Sequence, residues 1–459
     1  MVIALPALPE RPPSPHPGRH ARTFVAALAA VILGGAVLLA SPWTTESGDP
    51  TPAVDALFTA VSAVTVTGLV TVGTGTHWNG FGEAVILGLI QVGGLGFMVG
   101  ASIVLQALRR GATRLSDVLL VKEGAPALSL REAGVLSRRI VVFTFATEAA
   151  GAAVLTLRFW QDMPLPEALW FGVFHAVSAF CNAGFDLQGG FASLVPYQGS
   201  IVVNAAVILL IQAGALSYVA LADVATRRRW AALAVDSKLV LIANGVLLLA
   251  GAIAFLAAEW GRSLGQTAWE ARPLAALFQS VAARTAGFAT VNFAEVHHVT
   301  LFLWMALMLI GGASGSTSGG VKLATVGVVA AAVASTLRGR EEPQLFGYRV
   351  PTPLVFRAMA VIALMVVVHF AATALLATAE ALFGGAEVGF IALMFEAMSA
   401  LATVGLSTGI TPSLTTAGKL VLCAAMFFGR LGPLTVAYAL QRRQRPARYR
   451  FPAAAVRIG

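Results

Sequence analysis

Charged residues are scarce in this chain. Asp, Glu, Lys and Arg make up 12% of its 459 residues, whereas 57% are hydrophobic and the mean hydropathy is +0.80. Soluble domains carry charge on about a quarter of their residues. The shortage of charge therefore excludes an ordinary soluble protein and indicates one that crosses a membrane several times.

Cysteine and the motifs of enzymes are also in short supply. The two cysteines, Cys181 and Cys423, lie far apart in apolar surroundings, so neither a structural disulfide nor a CxxC metal site is expected. The histidines form no HExxH pattern, and we find no Ser/His/Asp set. GxGxxG and Walker patterns are missing where a strand, turn and helix could hold them. We therefore expect neither an enzyme nor a nucleotide site in this chain.

The net charge of +9 could indicate a nucleic-acid partner, but the distribution of the charges argues against one. The basic residues concentrate in the segments 11–22, 109–139, 227–229, 338–349 and 442–457. The polar segments between these are acidic or mixed, as at Glu46, Asp49 and Asp55. This alternation follows the positive-inside rule, and it predicts that both termini are cytoplasmic.

Eight apolar runs are long enough to cross a bilayer, which takes about 20 residues of helix. They lie near 23–42, 81–108, 139–159, 198–225, 238–259, 299–336, 354–382 and 416–440. The first run is too long for the core of a signal peptide, so we interpret it as a retained span.

One shorter apolar segment lies between the two runs of each successive pair. The four segments are 53–66, 167–182, 272–285 and 388–403. They are too short to span and too apolar to be ordinary loops, which predicts re-entrant half-helices. Acidic residues or proline near their starts suit helix N-termini. The alternative is four amphipathic helices on the surface.

Each short segment runs into the same motif. The stretches read FTAVSAVTVTGL, FHAVSAFCNAGF, FQSVAARTAGF and FEAMSALATVGL, and they place Gly68, Gly184, Gly287 and Gly405 about 100 to 120 residues apart. Such a period means internal repetition, which decides the architecture. We predict an all-α membrane protein of four tandem helix–pore-helix–helix repeats. It would have eight spans and four re-entrant pore helices around one pseudo-four-fold pore.

The predicted boundaries follow from the repeats. We expect repeats at 23–108, 139–226, 238–337 and 353–441, with a cytoplasmic N-terminal arm at 1–22, a cytoplasmic loop at 109–138 and a cytoplasmic tail at 442–459. A secondary carrier that works by alternating access is an alternative, because carriers also contain broken helices. Carriers normally show two inverted repeats, and four copies in one orientation count against that class.

The glycine loops have the chemistry of a cation filter. Backbone carbonyls can replace the water shell of a potassium ion without adding a fixed charge. Pointing successive carbonyls at one axis needs left-handed backbone, which glycine adopts at no steric cost. The C-terminal ends of four half-helices carry partial negative charge and would favour a cation where they converge.

On these motifs the chain resembles the Trk/Ktr/HKT superfamily of potassium transporters, and most of all the Ktr membrane subunit, from about residue 25 onward. The resemblance implies a single pore per subunit that holds K⁺ at the backbone carbonyls of four filter loops. Carried onto this sequence, the filter consists of Thr65, Val66, Thr67, Gly68, Cys181, Asn182, Ala183, Gly184, Arg284, Thr285, Ala286, Gly287, Ala402, Thr403, Val404 and Gly405. Serine in place of Gly68 accompanies sodium selectivity in some plant members, so Gly68 favours potassium.

The resemblance also implies partners. It predicts a homodimer in the cytoplasmic membrane that docks on a cytoplasmic ring of nucleotide-binding, RCK-type regulatory subunits. The basic segments 109–139 and 227–229 are candidate docking surfaces, or contacts with anionic membrane lipid. Potassium is the expected ion, with sodium as a second candidate. The alternatives are a Trk-type or less selective K/Na subunit and, in a different class, a secondary carrier of a small solute.

Ten small or polar residues interrupt the sixth predicted span: Gly311, Gly312, Ala313, Ser314, Gly315, Ser316, Thr317, Ser318, Gly319 and Gly320. Such backbone survives at membrane depth only inside protein or beside water. We predict a gating loop on the cytoplasmic side of the filter, which the resemblance also implies. The alternative is a cytoplasmic loop, which would make 321–336 a separate span and invert the later topology.

Three basic residues lie close to the predicted pore. Arg430 falls near mid-depth of the last span, where an arginine is a functional candidate by default, and the resemblance assigns it to the gate. Snorkelling, or pairing with Glu148, is the alternative. Lys322 is a second gate candidate, although its stem could reach the inner interface. We expect Arg284 to brace the filter by bonding carbonyls or a carboxylate.

Other polar residues in the apolar segments have simpler interpretations. We expect Glu396 to bond filter backbone, and Asn182 and Asp186 to shape the outer mouth of the pore. Hydrogen bonds between helices are expected of Gln91, Asn204 and Gln212.

Overall fold

The structure is a computed structural model, and it describes residues 17–109, 130–265, 267–340, 342–384 and 388–432. Most of the predicted arm 1–22 and loop 109–138, and all of the predicted tail 442–459, lie outside these residues. Within the described ranges the chain is almost wholly helical, with fifteen α-helices and one short β-hairpin.

The helices of the first half are α1 (Pro17–Leu39), α2 (Ala53–Val64), α3 (Thr74–His77), α4 (Gly80–Arg109), α5 (Leu130–Phe159), α6 (Leu165–Phe180), α7 (Ile201–Ala215) and α8 (Tyr218–Arg227). Those of the second half are α9 (Val235–Glu259), α10 (Arg272–Ala282), α11 (His298–Leu309), α12 (Leu323–Leu337), α13 (Thr352–Phe383), α14 (Phe390–Leu401) and α15 (Thr416–Leu431). Between α12 and α13, β1 (Gln344–Leu345) pairs antiparallel with β2 (Tyr348–Arg349).

Four described helices are long and apolar enough to cross a membrane: α4 over Gly80–Gly100, α5 over Gly134–Phe159, α9 over Val235–Glu259 and α13 over Thr352–Phe383. The bent pair of α7 and α8 makes a fifth candidate. The chain is therefore a mostly helical protein of the membrane type. Every predicted span overlaps at least one helix. The described parts of α1, α11, α12 and α15 do not meet the same test, so the count of eight spans stays a prediction.

The fourth predicted span, 198–225, is not one straight helix. The chain bends by 97° between α7 and α8, where Ser217 has a φ of +65° and its hydroxyl caps α8 at Ala220 N. A sharp bend frees backbone carbonyls that need other partners. Here Gly214 O and Ala215 O accept from the amides of Thr317 (3.2 Å) and Ala313 (2.8 Å), both in the glycine-rich segment.

The four predicted half-helices are α2, α6, α10 and α14, close to the expected bounds. Proline at or just before the start of three of them costs no hydrogen bond. Each helix buries the phenylalanine of its motif completely: Phe58, Phe174, Phe278 and Phe395. These rings anchor the four short helices in the core, and each helix ends directly before its glycine loop.

Three half-helices end against a glycine in a later helix. A Cβ on Gly93 of α4 would collide with Val64 O, the last carbonyl of α2. Gly214 of α7 lies in the same way against Phe180 O of α6, and Gly429 of α15 against Leu401 O of α14. Glycine is required at these helical positions because the two backbones touch.

Gly93→Ala tests this packing. The added methyl has to displace the end of α2, and overpacking of this kind costs about 1–3 kcal/mol. Gly88 of the same helix is exposed with open space around its Cβ position, so Gly88→Ala is the matched control and should be neutral or stabilising by up to about 1 kcal/mol. Thermal unfolding of the purified protein in detergent measures both. Equal midpoints for the two variants would contradict the close approach.

Candidate functional site

The backbone of the four glycine loops is left-handed at alternate residues. The glycines Gly68, Gly184, Gly287 and Gly405 have φ between +72° and +95°. The residues two before them, which are Val66, Asn182, Thr285 and Thr403, have φ between +50° and +72°. Left-handed backbone costs a residue other than glycine about 1–2 kcal/mol. Reversing the sign of φ at every second residue turns carbonyls that would alternate in an extended chain toward the same side.

The four loops lie against one another in a closed ring. A Cβ on Gly68 would collide with Ala183 O of the second loop, one on Gly184 with Ala286 O of the third, one on Gly287 with Val404 O of the fourth, and one on Gly405 with Thr67 O of the first. Each glycine also faces the Cα of the next glycine in that order. The ring therefore alternates glycine with the carbonyl of the neighbouring loop, and no side chain fits between them.

Carbonyl oxygens dominate the chemistry of this ring. All sixteen residues of the four loops are buried. A buried ring of backbone oxygens without a carboxylate suits a dehydrated monovalent cation, because it supplies oxygen ligands without a fixed charge.

Serine side chains of the half-helices accept hydrogen bonds from the amides of two ring glycines. Ser62 of α2 accepts a hydrogen bond from Gly68 N at 3.0 Å, and Ser399 of α14 accepts one from Gly405 N at the same distance. In the second copy, Ser178 instead donates to Phe185 O (2.7 Å). These serines stand four residues after the phenylalanine of each motif, a position for which no role is predicted from the sequence.

Glu396 holds the segment that follows the fourth glycine. Its Oε1 accepts from the Ser407 hydroxyl (2.7 Å) and from Thr408 N (2.9 Å), and its Oε2 from the Thr411 hydroxyl (2.9 Å). The predicted bond to backbone is present, although it falls just beyond the four filter residues. The Glu396 carboxylate thus accepts hydrogen bonds from donors spread over residues 407–411.

The glycine-rich segment 311–320 forms a loop between α11 and α12 whose two ends lie side by side. Its two ends pair with each other: Gly311 N donates to Val321 O and Val321 N donates to Leu309 O, each at 2.9 Å. Ser316, Thr317 and Ser318 are fully buried. The segment is therefore enclosed by protein and is not an exposed loop.

This segment packs directly against two of the glycine loops. The Thr317 hydroxyl donates to Phe180 O (3.2 Å), and the side-chain amide of Asn182 pairs with the Ser318 hydroxyl (3.1 Å). Gly319 lies against Ala402 O and the Thr403 side chain, with no room for a Cβ. Asn182 therefore faces the glycine-rich segment, and that it shapes the outer mouth stays a prediction.

Arg430 joins the glycine-rich segment to two other elements. Its guanidinium is 3% exposed and donates to Thr317 O (2.5 Å) and to Gly93 O of α4 (2.8 Å). It also lies 4.4 Å from the ring centroid of Phe97, a cation–π distance. No carboxylate of the described residues lies within 4.0 Å of it. Glu148 instead accepts from Gln91 Nε2 (3.3 Å).

Lys322 reinforces the same contact. Its ammonium donates to Ser318 O and to Gly319 O, and lies 5.5 Å from the centroid of Phe97. The side chain therefore turns back onto the segment that it follows and does not reach toward an interface. A buried arginine and a half-buried lysine thus hold one loop through its carbonyls and share one aromatic ring.

A family model described as TrkH, cation transport protein, matches residues 21–446. The chain belongs to the TrkH family of cation transport proteins. The crystal structure of the potassium transporter TrkH from Vibrio parahaemolyticus has the same fold, with a TM-score of 0.70 at 19% identity, over 92% of this chain and 85% of that chain. TrkH-family membership makes the chain an integral membrane protein of a transporter family.

Curated relatives match this TrkH-family chain over nearly its whole length. The potassium/sodium uptake protein NtpJ of Enterococcus hirae is 37% identical over 94% of this chain and 95% of its own. The Ktr system potassium uptake protein B of Bacillus subtilis is 36% identical over 92% of each chain. Its namesake from Vibrio alginolyticus is 34% identical over 96% of this chain and 95% of its own.

Arg284 contacts α9 in this TrkH-family site. It is 1% exposed, and its one described partner is the side-chain oxygen of Asn244 on α9. The acceptor is thus a side-chain amide carbonyl on α9, and that Arg284 braces the filter stays a prediction. Gln212 links α7 to α9 through Asn244 (2.9 Å), as expected of a helix–helix bond. Asn204 instead donates to backbone carbonyls around the start of its own helix, such as Tyr197 O.

Arg430→Met tests the attachment of the glycine-rich segment. The variant removes both hydrogen bonds of the guanidinium but keeps an apolar stem against Phe97. We expect the backbone amides of 311–323 to exchange hydrogen about 5- to 30-fold faster, since one to two kcal/mol of local stability is lost. Hydrogen–deuterium exchange with mass spectrometry measures this.

Lys419→Met is the matched control for that experiment. Lys419 lies on the same helix and pairs with Asp55 at 2.8 Å, away from the segment. Its loss should leave exchange in 311–323 unchanged. Equal exchange in the wild type and in Arg430→Met would contradict the anchoring role of Arg430.

Proposed function

We propose that this chain is the membrane subunit of a potassium-uptake system, and that the ring of Thr67, Ala183, Ala286 and Val404 carbonyls belongs to its selectivity filter. The closed ring of glycines and carbonyls carries the proposal. The names of the Ktr relatives, both potassium uptake proteins, support potassium as the ion. Carbonyl rings favour a cation whose hydration shell they can replace.

The architecture proposed for this function is the one expected from the repeats. Four units at 23–108, 139–226, 238–337 and 353–441 would surround one pore in the cytoplasmic membrane, with both termini cytoplasmic. The four half-helices α2, α6, α10 and α14, each followed by a loop of the ring, support this arrangement. Their C-terminal ends bring partial negative charge to the ring, which adds to the attraction for a cation.

We propose that the glycine-rich segment 311–320 is the gate. It lies against Phe180 at the end of α6, against Asn182 of the second loop and against Ala402 and Thr403 of the fourth, so it would cover the filter on one side. Arg430 and Lys322 would hold it closed, and their charges would oppose a cation beneath the filter. Opening would require release of the Thr317 carbonyl from Arg430.

Partners follow from the Ktr-type relatives. We propose a homodimer controlled by cytoplasmic, nucleotide-binding regulatory subunits, since nucleotide-binding motifs are missing from this sequence. The run of Arg227, Arg228 and Arg229 at the end of α8 is exposed. It would meet either such a subunit or anionic lipid headgroups.

A less selective potassium/sodium subunit is the second candidate function. The NtpJ relative, at 37% identity, is named a potassium/sodium uptake protein. Gly68, the first glycine of the ring, is the position at which the two candidate functions can be tested. It controls how closely the second loop can approach the first. Sodium is smaller and holds its water more tightly, so a ring that fits dehydrated potassium discriminates against it.

Gly68→Ser tests the filter. Serine in left-handed backbone would push on Ala183 O and distort the ring. We expect the wild type in liposomes to take up rubidium at least about tenfold faster than sodium, equivalent to about 1.4 kcal/mol, and the variant to lose this preference. A wild type that passes both ions equally would support the potassium/sodium subunit.

Gly409→Ser is the matched control for selectivity. Gly409 has a φ of +89° but nothing within 4 Å of its Cβ position. The substitution therefore strains the backbone without pressing on a carbonyl, and the preference for rubidium should persist. A variant of Gly68 that only slows transport, with the preference intact, would favour a carrier.

Arg430→Met tests the gate by flux. Loss of the bond to Thr317 O should favour the open segment and raise rubidium uptake of the subunit alone by about 5-fold or more, as expected for about 1 kcal/mol. Lys419→Met should leave uptake unchanged. Uptake in Arg430→Met at or below the wild-type rate would rule out a restraining role.

A further inference from the structure

The β-hairpin between α12 and α13 has an unusual turn. Its strands β1 and β2 are joined by Phe346 and Gly347, whose φ angles are +50° and +82°. A two-residue turn with both φ angles positive favours asparagine or aspartate before the glycine, and left-handed backbone is strained for phenylalanine. The Phe346 side chain is 42% exposed, so burial in the core does not account for it. Strain of this kind is typical of binding sites.

The base of the hairpin is fixed to the two helices that it joins. Arg340 N donates to Ser335 O of α12 at 2.9 Å, and Gln344 N donates to the Ser335 hydroxyl at 3.4 Å. Leu345 packs against a small core cluster that includes Val328 of α12 and Val355 of α13. The turn therefore has a fixed place beside the end of α12 and the start of α13.

The sequence of α13 places this hairpin at the level of the lipid headgroups. Residues 358–379 of the helix contain no Asp, Glu, Lys or Arg. As helix they are about 33 Å long, which matches the hydrocarbon core of about 30 Å. Arg357 then marks the edge of the core. Thr352, where α13 begins just after the hairpin, lies about 7–8 Å beyond that edge, within the headgroup layer.

Exposed apolar side chains surround the turn at this level. Tyr348 of β2 is 64% exposed, and Leu337 at the end of α12 is 82% exposed. Phe346 lies at the tip between the two strands. Aromatic side chains are enriched where a membrane meets water, because an amphipathic ring suits the headgroup level. In water the same side chains would be an unfavourable apolar surface.

The charge around the hairpin is positive. Arg338, Arg340, Arg349 and Arg357 are all exposed. Arg349 pairs with Glu342 at 2.9 Å, whereas no carboxylate of the described residues lies within 4.0 Å of the other three. Arginines at the membrane surface attract the phosphates of anionic lipids.

We propose that the hairpin 344–349 is a lipid anchor that binds anionic phospholipid. Phe346 would enter the boundary between headgroups and acyl chains, and Arg338 and Arg340 would pair with lipid phosphates. A docked protein could also cover the aromatic side chains. The place of the hairpin, at headgroup level beside the start of a membrane-spanning helix, favours lipid. The anchor goes beyond the proposed uptake function and does not depend on which cation is transported.

Fluorescence quenching in lipid nanodiscs tests the depth of the turn. Cys181 and Cys423 are buried, so an NBD label on Gln344→Cys, at an exposed position of β1, reports on the hairpin. Nanodiscs of phosphatidylglycerol and phosphatidylcholine brominated on their acyl chains should quench the label strongly relative to unbrominated discs. Emission that does not respond to bromination would overturn the anchor and would leave the hairpin open to a protein partner.

Phe346→Asn in the labelled chain separates the ring from the fold of the hairpin. The substitution gives the Asn-Gly turn that this geometry prefers, so the hairpin should form at least as well as in the wild type. The variant should nevertheless lose most of the quenching, because the ring that enters the membrane is gone. Quenching equal to that of the Phe346 chain would overturn the proposal.

Thermal unfolding in detergent with added lipid tests the headgroup. Phosphatidylglycerol should raise the wild-type midpoint by about 2–4 °C relative to phosphatidylcholine. Arg338→Gln and Arg340→Gln should each raise the phosphatidylglycerol concentration that gives half of this effect about fivefold. Arg262→Gln is the control for one lost charge, since Arg262 is exposed at the far end of α9. It should titrate like the wild type.

Equal midpoints in the two lipids for the wild type, or unchanged titrations in both hairpin variants, would overturn the choice of anionic lipid. Quenching and thermal stability are both read without transport. Failure of the lipid anchor and failure of the proposed potassium uptake are therefore distinguishable.

Discussion

The structure depends on the absence of four Cβ atoms. Gly68, Gly184, Gly287 and Gly405 each lie against a carbonyl of the next loop, and the fourth contact returns to the first loop. Because the ring is closed, movement of one carbonyl shifts the next glycine, so all four loops have to be positioned together. The buried phenylalanine of each half-helix and the glycines of the later helices provide that positioning, since rigid, close contacts transmit small displacements.

Strain in the ring has to be held by its surroundings. Val66, Thr285 and Thr403 are β-branched residues in left-handed backbone, a conformation that persists only where neighbouring structure over-determines it. The hydrogen bonds from the ring glycines to Ser62 and Ser399 supply part of that support. The same strain turns the carbonyls of successive residues to one side, which an extended loop of the same length could not do.

Much of this arrangement could be predicted from the sequence, because the motif recurs four times in one chain. The four half-helices, their glycine loops and the buried break between α11 and α12 all follow from repetition, hydropathy and glycine content. The close-contact glycines Gly93, Gly214 and Gly429 could not be selected among 46 glycines, since a helix glycine has no local signature of what it touches. The partner of Arg284 was missed for a related reason: Asn244 lies 40 residues away and bears no charge.

The third half-helix, α10, differs from the other three in the helix that follows it. Where the other half-helices end against a helix glycine, the corresponding helix here is interrupted between Leu309 and Leu323. An interrupted helix leaves backbone groups without partners inside the protein. The 97° bend after Ala215 leaves carbonyls in the same condition, and Ala313 N and Thr317 N bond to them.

The bend between α7 and α8 and the break between α11 and α12 therefore provide each other's hydrogen-bond partners. A straight α7 would use the carbonyls of Gly214 and Ala215 within its own continuation and would leave the glycine-rich segment with unpaired amides. A continuous helix in place of α11 and α12 would strip the bend of its donors. Arg430 adds the remaining donor at Thr317 O. If the segment moves, the carbonyls of Gly214 and Ala215 need new donors, so the position of the segment and the bend between α7 and α8 are coupled.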